Sequence, residues 1–368
     1  MDSDSSEKRN LADKEELMYT GRRVIIMSRY VLFNDDVQVA LFTVQHSVIT
    51  DFTPQKPALL PMQIRSASAE GFSAWLRARA IDLGNRQHRT VMHELLGSRD
   101  KITLALRTHM FSLSDTFTCF KEGEFTPRLQ LCQPQEQNMV SEYILFPGDT
   151  AVRRMDVATP NASADGSFPK TWRFEEGSWW LYKLQPAAAT KAEVEISRVL
   201  REAGWEAAEY DYVGRFRKRV KSRSFLKAHE FFEPYDSFRF FFDHPDDDDA
   251  VIYLNIASLG KAYERAWKRI LLADALFANT DRHMRNFGFI RSSLTGEVLR
   301  LAPNFDNNQA YQASPGGRYS EGMLRMYMNQ ADDADRKNLQ ELCEALSDHP
   351  YLQQAQETGT KYMNGGMC

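Results

Sequence analysis

Between residues 277 and 311 the chain reads FANTDRHMRNFGFI and, after a short interruption, LAPNFDNNQAY. Its oxygen-bearing side chains are spaced as phosphoryl transfer requires. That reaction asks little covalent help of a protein. It needs a carboxylate to orient the attacking hydroxyl, and hard oxygen ligands to hold Mg²⁺ against phosphate. Asp281, at the end of an apolar helical stretch, suits the first task. Asn286 follows five residues later, the spacing of base and metal-binding asparagine in phosphotransfer loops. Asp306 comes after a hairpin, which can fold back and bring a second carboxylate to the metal. An Asp-x-x-x-x-Asn pair alone would be ordinary turn chemistry; the full string is far more specific than its parts. His283 is expected to order the loop, and Arg282 and Arg285 to face solvent.

A lysine interrupts the apolar strand WWLYKL (179–184). Burying an ammonium alone is costly, so Lys183 must be exposed, snorkelled or paired. Its partner is expected on the following helix, about 188–203, where Ala192, Ile196, Val199, Leu200 and Ala203 form a stripe. Glu193 and Glu195 border that stripe on opposite sides, so periodicity does not choose between them. Ahead of the strand, SADGSFPKTW (163–172) places Gly166 where backbone could approach phosphate closely, with Ser163, Ser167 and Lys170 nearby. The plainer reading of that segment is an Asp-Gly turn. Downstream, Arg215, Arg217, Arg219, Lys221 and Arg223 occupy alternate positions. On a strand all five share one face. That face is either a solvated edge that discourages aggregation or a surface for an acidic partner or nucleic acid.

NTDRHMRN followed by APNFD resembles the catalytic and metal-binding segments of HipA-like serine/threonine kinases, a bacterial family that includes toxin kinases. The order Ser-x-x-Gly-x-x-x-Lys in SADGSFPK is similar to that family's phosphate-covering loop, and Lys183 stands where the family has its nucleotide lysine. The resemblance runs over about 157–311, and weakly through SAWLRARAIDLGNR (73–86). It implies an enzyme that uses ATP and Mg²⁺, with Asp281 catalytic and Asn286 and Asp306 on the metal. Lys183, Glu193, Ser163, Gly166 and Lys170 would serve the nucleotide, Glu193 being favoured over Glu195 by its spacing to the helix-terminal Gly204. A protein substrate, autophosphorylation at Ser163 or Ser167, and an antitoxin-type partner are further implications. Phosphatidylinositol kinases share a similar DRHxxN loop, so a lipid or small-molecule kinase stays open. A nucleotide-binding pseudokinase that acts as a partner-binding module is the third reading.

The chain that positions these segments has 368 residues, enough for two or three domain-sized cores. Its 46 basic and 50 acidic side chains leave a formal charge of -4, which argues against nucleic-acid binding over the whole surface. The four cysteines are scattered without metal-ligand spacing, which fits a reducing, cytoplasmic compartment. No basic-then-apolar leader and no long apolar run is present, so neither secretion by a signal peptide nor a membrane span is expected. Residues 1–20 read as a disordered leader, with order from Arg23, and 21–150 as an accessory region without a catalytic constellation. Strands, one helix and more strands, then a mostly helical half, imply an α+β, bilobal protein-kinase-like fold. Its mixed β N-lobe would span 151–242 and its helical C-lobe 250–368. HPDDDDA (244–250) is expected as a charged connector.

Overall fold

The segments VIIM and VQVALFTV, expected as strands from their apolar runs, open a five-stranded antiparallel sheet. A computed structural model describes residues 16–20, 23–79, 98, 100–131, 141, 160, 168–214, 219–310, 331–349 and 352–363. The first sheet holds β1 (Glu16–Thr20), β2 (Arg23–Asn34), β3 (Val37–Gln45) and β4 (Val48–Pro54) in that order. A later strand, β5 (Phe117–Lys121), pairs with the other end of β2. Strand β1 corrects the expected leader. Glu16–Thr20 pair antiparallel with Arg23–Met27, because the VIIM run offers backbone groups that only a neighbouring strand satisfies.

Helices α1 (Ala69–Arg79) and α2 (Lys101–Arg107) close this sheet, burying Phe72, Trp75, Leu76 and Ile102 against Phe42, Phe52 and Phe117. The helix expected over Glu70–Leu96 is seen as α1 only, since residues 80–97 lie outside the described ones.

A second antiparallel sheet has the order β6-β7-β9-β8, from β6 (Lys170–Glu175), β7 (Ser178–Leu184), β8 (Tyr210–Val213) and β9 (Arg219–Arg223). Helix α3 (Ala187–Glu202) packs Val194 with Ala208, Tyr210 and Val220 of this sheet. The opposite side of α3, with Ala192, Ile196, Val199 and Leu200, joins a helical core. Gly204 ends the helix at φ +72, a conformation that glycine adopts without steric cost, and Trp205 N–H closes back on Leu200 O.

The expected solvated edge is corrected here. Strand β9 lies between β7 and β8, so Arg219, Lys221 and Arg223 sit on an interior strand. Lys221 reaches Glu175 at 3.4 Å and stands 4.4 Å from the Trp180 ring centre. Arg223 lies 3.7 Å from Glu209. The sheet's own carboxylates and aromatics therefore share the charge of that face. Arg215 and Arg217 lie outside the described residues.

The third sheet, β10 (Glu230–Pro234), β11 (Gly288–Ser292) and β12 (Val298–Leu301), is an antiparallel set of three. Around it fold α4 (Tyr235–Phe238), α5 (Asp249–Ser258), α6 (Lys261–Phe277), α7 (Asp333–Leu346) and α8 (Gln353–Met363). The acidic connector ends in a helix start: Asp248 caps α5 by accepting from the Ala250 and Val251 N–H groups. The whole is a mixed structure of antiparallel sheets and helices, in which no helix among the described residues is long and apolar enough to cross a membrane.

Candidate active site

Lys183 enters the site from β7 and Glu193 from the second turn of α3, each placed by a pattern that buries its neighbours. The Lys183 side chain is 6% exposed, and its Nζ lies 2.7 Å from Glu193 Oε1 and 2.8 Å from Asp306 Oδ1. Gln185 Nε2 donates to the other Glu193 oxygen at 2.6 Å, so that fully buried carboxylate is held from both ends. Glu195, the alternative, instead accepts from the Tyr212 hydroxyl at 2.8 Å and faces Arg198.

Burial disfavours every charge in this cluster. At Lys183 the Asp306 and then the Glu193 carboxylates outweigh it, and the ammonium is held well above the usual lysine range. Burial is likewise overcome at Asp306, by Lys183 first and Lys170 second, so this carboxyl lies well below its ordinary value. Glu193 moves the other way, because burial together with the Asp306 charge exceeds the pull of Lys183. One ammonium shared by two carboxylates leaves the more enclosed one less comfortable as an anion.

Asp306 follows β12 and adopts φ +60, a left-handed conformation that aspartate tolerates better than most side chains. Its N–H donates to the Tyr210 hydroxyl at 3.1 Å, and Asn308 Nδ2 donates to its Oδ1 at 2.9 Å. A lone bridge between Ala207 and Asn304 ties this loop to the approach of β8. The other half of the site starts at the end of α6, where Ala278 is left-handed and its N–H closes on Asp274 O. The chain then turns tightly: Asp281 O accepts from His283 N–H and from Asn286 Nδ2, both at 2.9 Å. The Asn286 amide nitrogen is thereby engaged, so its amide oxygen is the atom that could ligate a metal.

Sequence reasoning missed Arg282. Expected in solvent, its side chain is 8% exposed. It grips Asp274 through Nε at 2.9 Å and Nη2 at 2.8 Å. It also donates to Asn286 O at 2.8 Å, Phe305 O at 2.7 Å and Asn307 Oδ1 at 3.0 Å. The planar guanidinium fork suits such multiple contacts. It joins α6, the 281–286 turn and the Asp306 loop. An aspartate inside the otherwise apolar ILLADALF was the available signal. Arg285 is exposed, as expected, with Nη2 3.3 Å from Ala78 O. His283 is exposed too, its Nδ1 accepting from Arg285 N–H, in keeping with a loop-ordering part.

Lys183, Asp281, Asn286 and Asp306 line one cavity of about 510 Å³, within the range of small-molecule sites, and Lys170 borders it as well. Glu193 sits behind Lys183. Ser163, Gly166 and Ser167 lie outside the described residues. The donors fit Mg²⁺ held jointly with phosphate. Asn286 and Asp306 are hard oxygen ligands, and no cluster of three metal-binding side chains occurs among the described residues. Mg²⁺ commonly takes one or two protein ligands and completes its shell from water and phosphate.

An ion-paired strand lysine, with a helix glutamate behind it, and two loops bearing Asp, Asn and Asp thus meet around one cavity. The profile of the HipA-like C-terminal domain matches residues 161–363, and the chain belongs to that family. A similar solved structure is the Shewanella oneidensis MR-1 HipA toxin–antitoxin complex with HipB and operator DNA. The matched chain is 13% identical, with 91% of this chain and 97% of that one covered at a TM-score of 0.58. The Helicobacter pylori proinflammatory kinase CtkA covers 54% of this chain and 90% of its own, at 15% identity and a TM-score of 0.42. No curated protein matches the chain.

Proposed function

We propose that the protein is an ATP-dependent serine/threonine kinase that transfers the γ-phosphate of Mg²⁺-ATP to a protein hydroxyl, across a cleft between a β-rich and a helical lobe. The observation that carries this reading is Lys183 bound at once to Glu193 and Asp306, on a cavity that Asp281 and Asn286 also line. In the reaction Lys183 draws the nucleotide phosphates to the β7 side, and Glu193 keeps its ammonium in place. Asp281 orients the acceptor hydroxyl and accepts its proton as the oxygen displaces ADP from the γ-phosphorus. Asn286 and Asp306 would hold Mg²⁺, which would supply positive charge against the phosphates. Fixed charges of this kind supply most of the catalysis in phosphoryl transfer.

Autophosphorylation within 157–170, at Ser163 or Ser167, belongs to the same reading. So does a HipB-like antitoxin partner, because the Shewanella HipA structure is a complex with HipB. Purified protein incubated with γ-labelled ATP and Mg²⁺ should transfer label to protein, and Asp281→Asn should lower transfer by orders of magnitude while nucleotide still binds. Label found only in lipid would favour a lipid kinase. Tight nucleotide binding without any transfer would favour a pseudokinase.

A further inference from the structure

The cavity has a wall that the transfer chemistry leaves unused, and it comes from the N-terminal region. The last turns of α1 supply Trp75, Ala78 and Arg79, the turn before β5 supplies Leu113 and Asp115, and β5 begins with Phe117. This wall stands beside the proposed base, since Arg285 of the 281–286 turn donates to Ala78 O. It is also firmly held. Ser114 O accepts from Phe232 N–H at 3.0 Å, and Arg128 donates to Ser112 O and to Asp115 O.

Its side chains are largely apolar around one enclosed ion pair. Arg79 donates to Asp115 Oδ1 at 3.0 Å and to Met110 O, and lies over the Trp75 ring at 4.6 Å. Asp115 Oδ1 also accepts from Phe117 N–H at 2.9 Å. The two charges of the pair are thus spent on each other. An apolar residue laid against this wall buries surface against Ala78 and Leu113, whereas a cation there would meet the exposed Arg285 beside Ala78 and an Asp115 already paired with Arg79. Ala78 is exposed and Leu113 half-buried, so both present surface to a ligand.

We infer that this wall is the acceptor side of the site, and that it selects a polypeptide segment with an apolar residue next to the phosphorylated hydroxyl. The inference rests on the kinase reading, and it assigns to the N-terminal region the choice of substrate.

A positional-scanning library of serine and threonine peptides, offered to the full chain with labelled Mg²⁺-ATP, tests it. Wild type should favour an aliphatic or aromatic residue at one flanking position. Ala78→Glu and Leu113→Glu should each raise the KM of the best peptide tenfold or more, the scale on which an apolar subsite discriminates, with the KM for ATP within about twofold. At least one of them should move the preference at that position to lysine or arginine. Two variants guard against misfolding, since the exposed Ala78 tolerates replacement if Leu113 does not. Unchanged peptide KM and preference in both variants would overturn the acceptor wall while leaving the kinase reading intact. Wild-type protein that labels no acceptor and no peptide would overturn both together.

Discussion

Lys183 carries one positive charge between a buried carboxylate, Glu193, and a half-buried one, Asp306, and this imbalance sets the site's response to pH. Asp306 is depressed, so its ionised form stabilises the fold fully above the ordinary aspartate value of 3.8, and that contribution is lost only as pH falls through the lower folded value. Lys183 is raised, so its contribution is complete below 10.5 and is lost as pH rises from there through the folded value. Between about pH 5 and 8 these two groups leave stability nearly flat. Lys183→Met removes the cation, and burial then raises both carboxyls. Groups with raised acid values stabilise the fold at low pH, so the trend inverts. Urea unfolding should show a loss of about 3–5 kcal/mol near pH 8 that shrinks clearly near pH 5. An equal loss at both would mean that Lys183 does not lower the acid values of the two carboxyls. Arg282→Ala should cost a similar ~3–5 kcal/mol, because it strands the buried Asp274. That Lys183, Asp281, Asn286 and Asp306 meet on one cavity was legible, because the proposed phosphate chemistry asks for those residue types at those intervals. Arg282 was not, since its partners come from three segments distant in sequence.

Helix α3 carries two glutamates two positions apart, and packing separates their fates. Val194 turns to the sheet and Ala192 and Ile196 to the helical core, which aims Glu193 into the seam beside Lys183 and leaves Glu195 near Tyr212. Glu193→Gln should lower phosphoryl transfer by a factor of about ten to a hundred, the worth of one charge-assisted hydrogen bond to a buried ammonium. Glu195→Gln should leave it within about threefold. Equal effects of the two substitutions, read as initial rates at saturating ATP, would remove the Lys183–Glu193 pair from the mechanism. The helix and its Gly204 stop were readable from the 3.6 period and one glycine. The neighbours of β9 were not, because an alternating basic pattern fixes which side chains share a face but not which strands flank it. The Lys221–Glu175 and Arg223–Glu209 contacts arise between elements whose pairing no local signal specifies.

At the scale of the molecule, the N-terminal region is fastened to the third sheet by a wholly buried arginine. Arg291 donates to Glu233, Gly296 O, Leu60 O and Ala58 O. Glu233 in turn accepts from Met62 N–H at 2.6 Å and from the Ser237 hydroxyl at 2.7 Å. Gly296, at φ +77, lets Ala58 O approach where any Cβ would collide with it. From this staple α4 leads directly to the 281–286 turn, since the Tyr235 and Asp236 N–H groups donate to Phe287 O and Met284 O, both at 3.0 Å. None of this was visible in a sequence whose first third shows no catalytic spacing, because a buried ion pair leaves no periodic trace. Replacing Arg291 by Met strands Glu233 and should cost about 3–5 kcal/mol. Substituting Glu233 by Leu as well should recover only part of that, because Met62 N–H then loses its acceptor. Gly296→Ala tests the docking without touching a charge, and it too should loosen the N-terminal region. Trp75 reports the N-terminal core, and Trp205 and Trp267 report two further cores. Wild type should lose all three signals in one urea transition, whereas the variants should release Trp75 first. A single coincident transition with an unchanged midpoint in all three variants would show that the staple does not hold the two parts together.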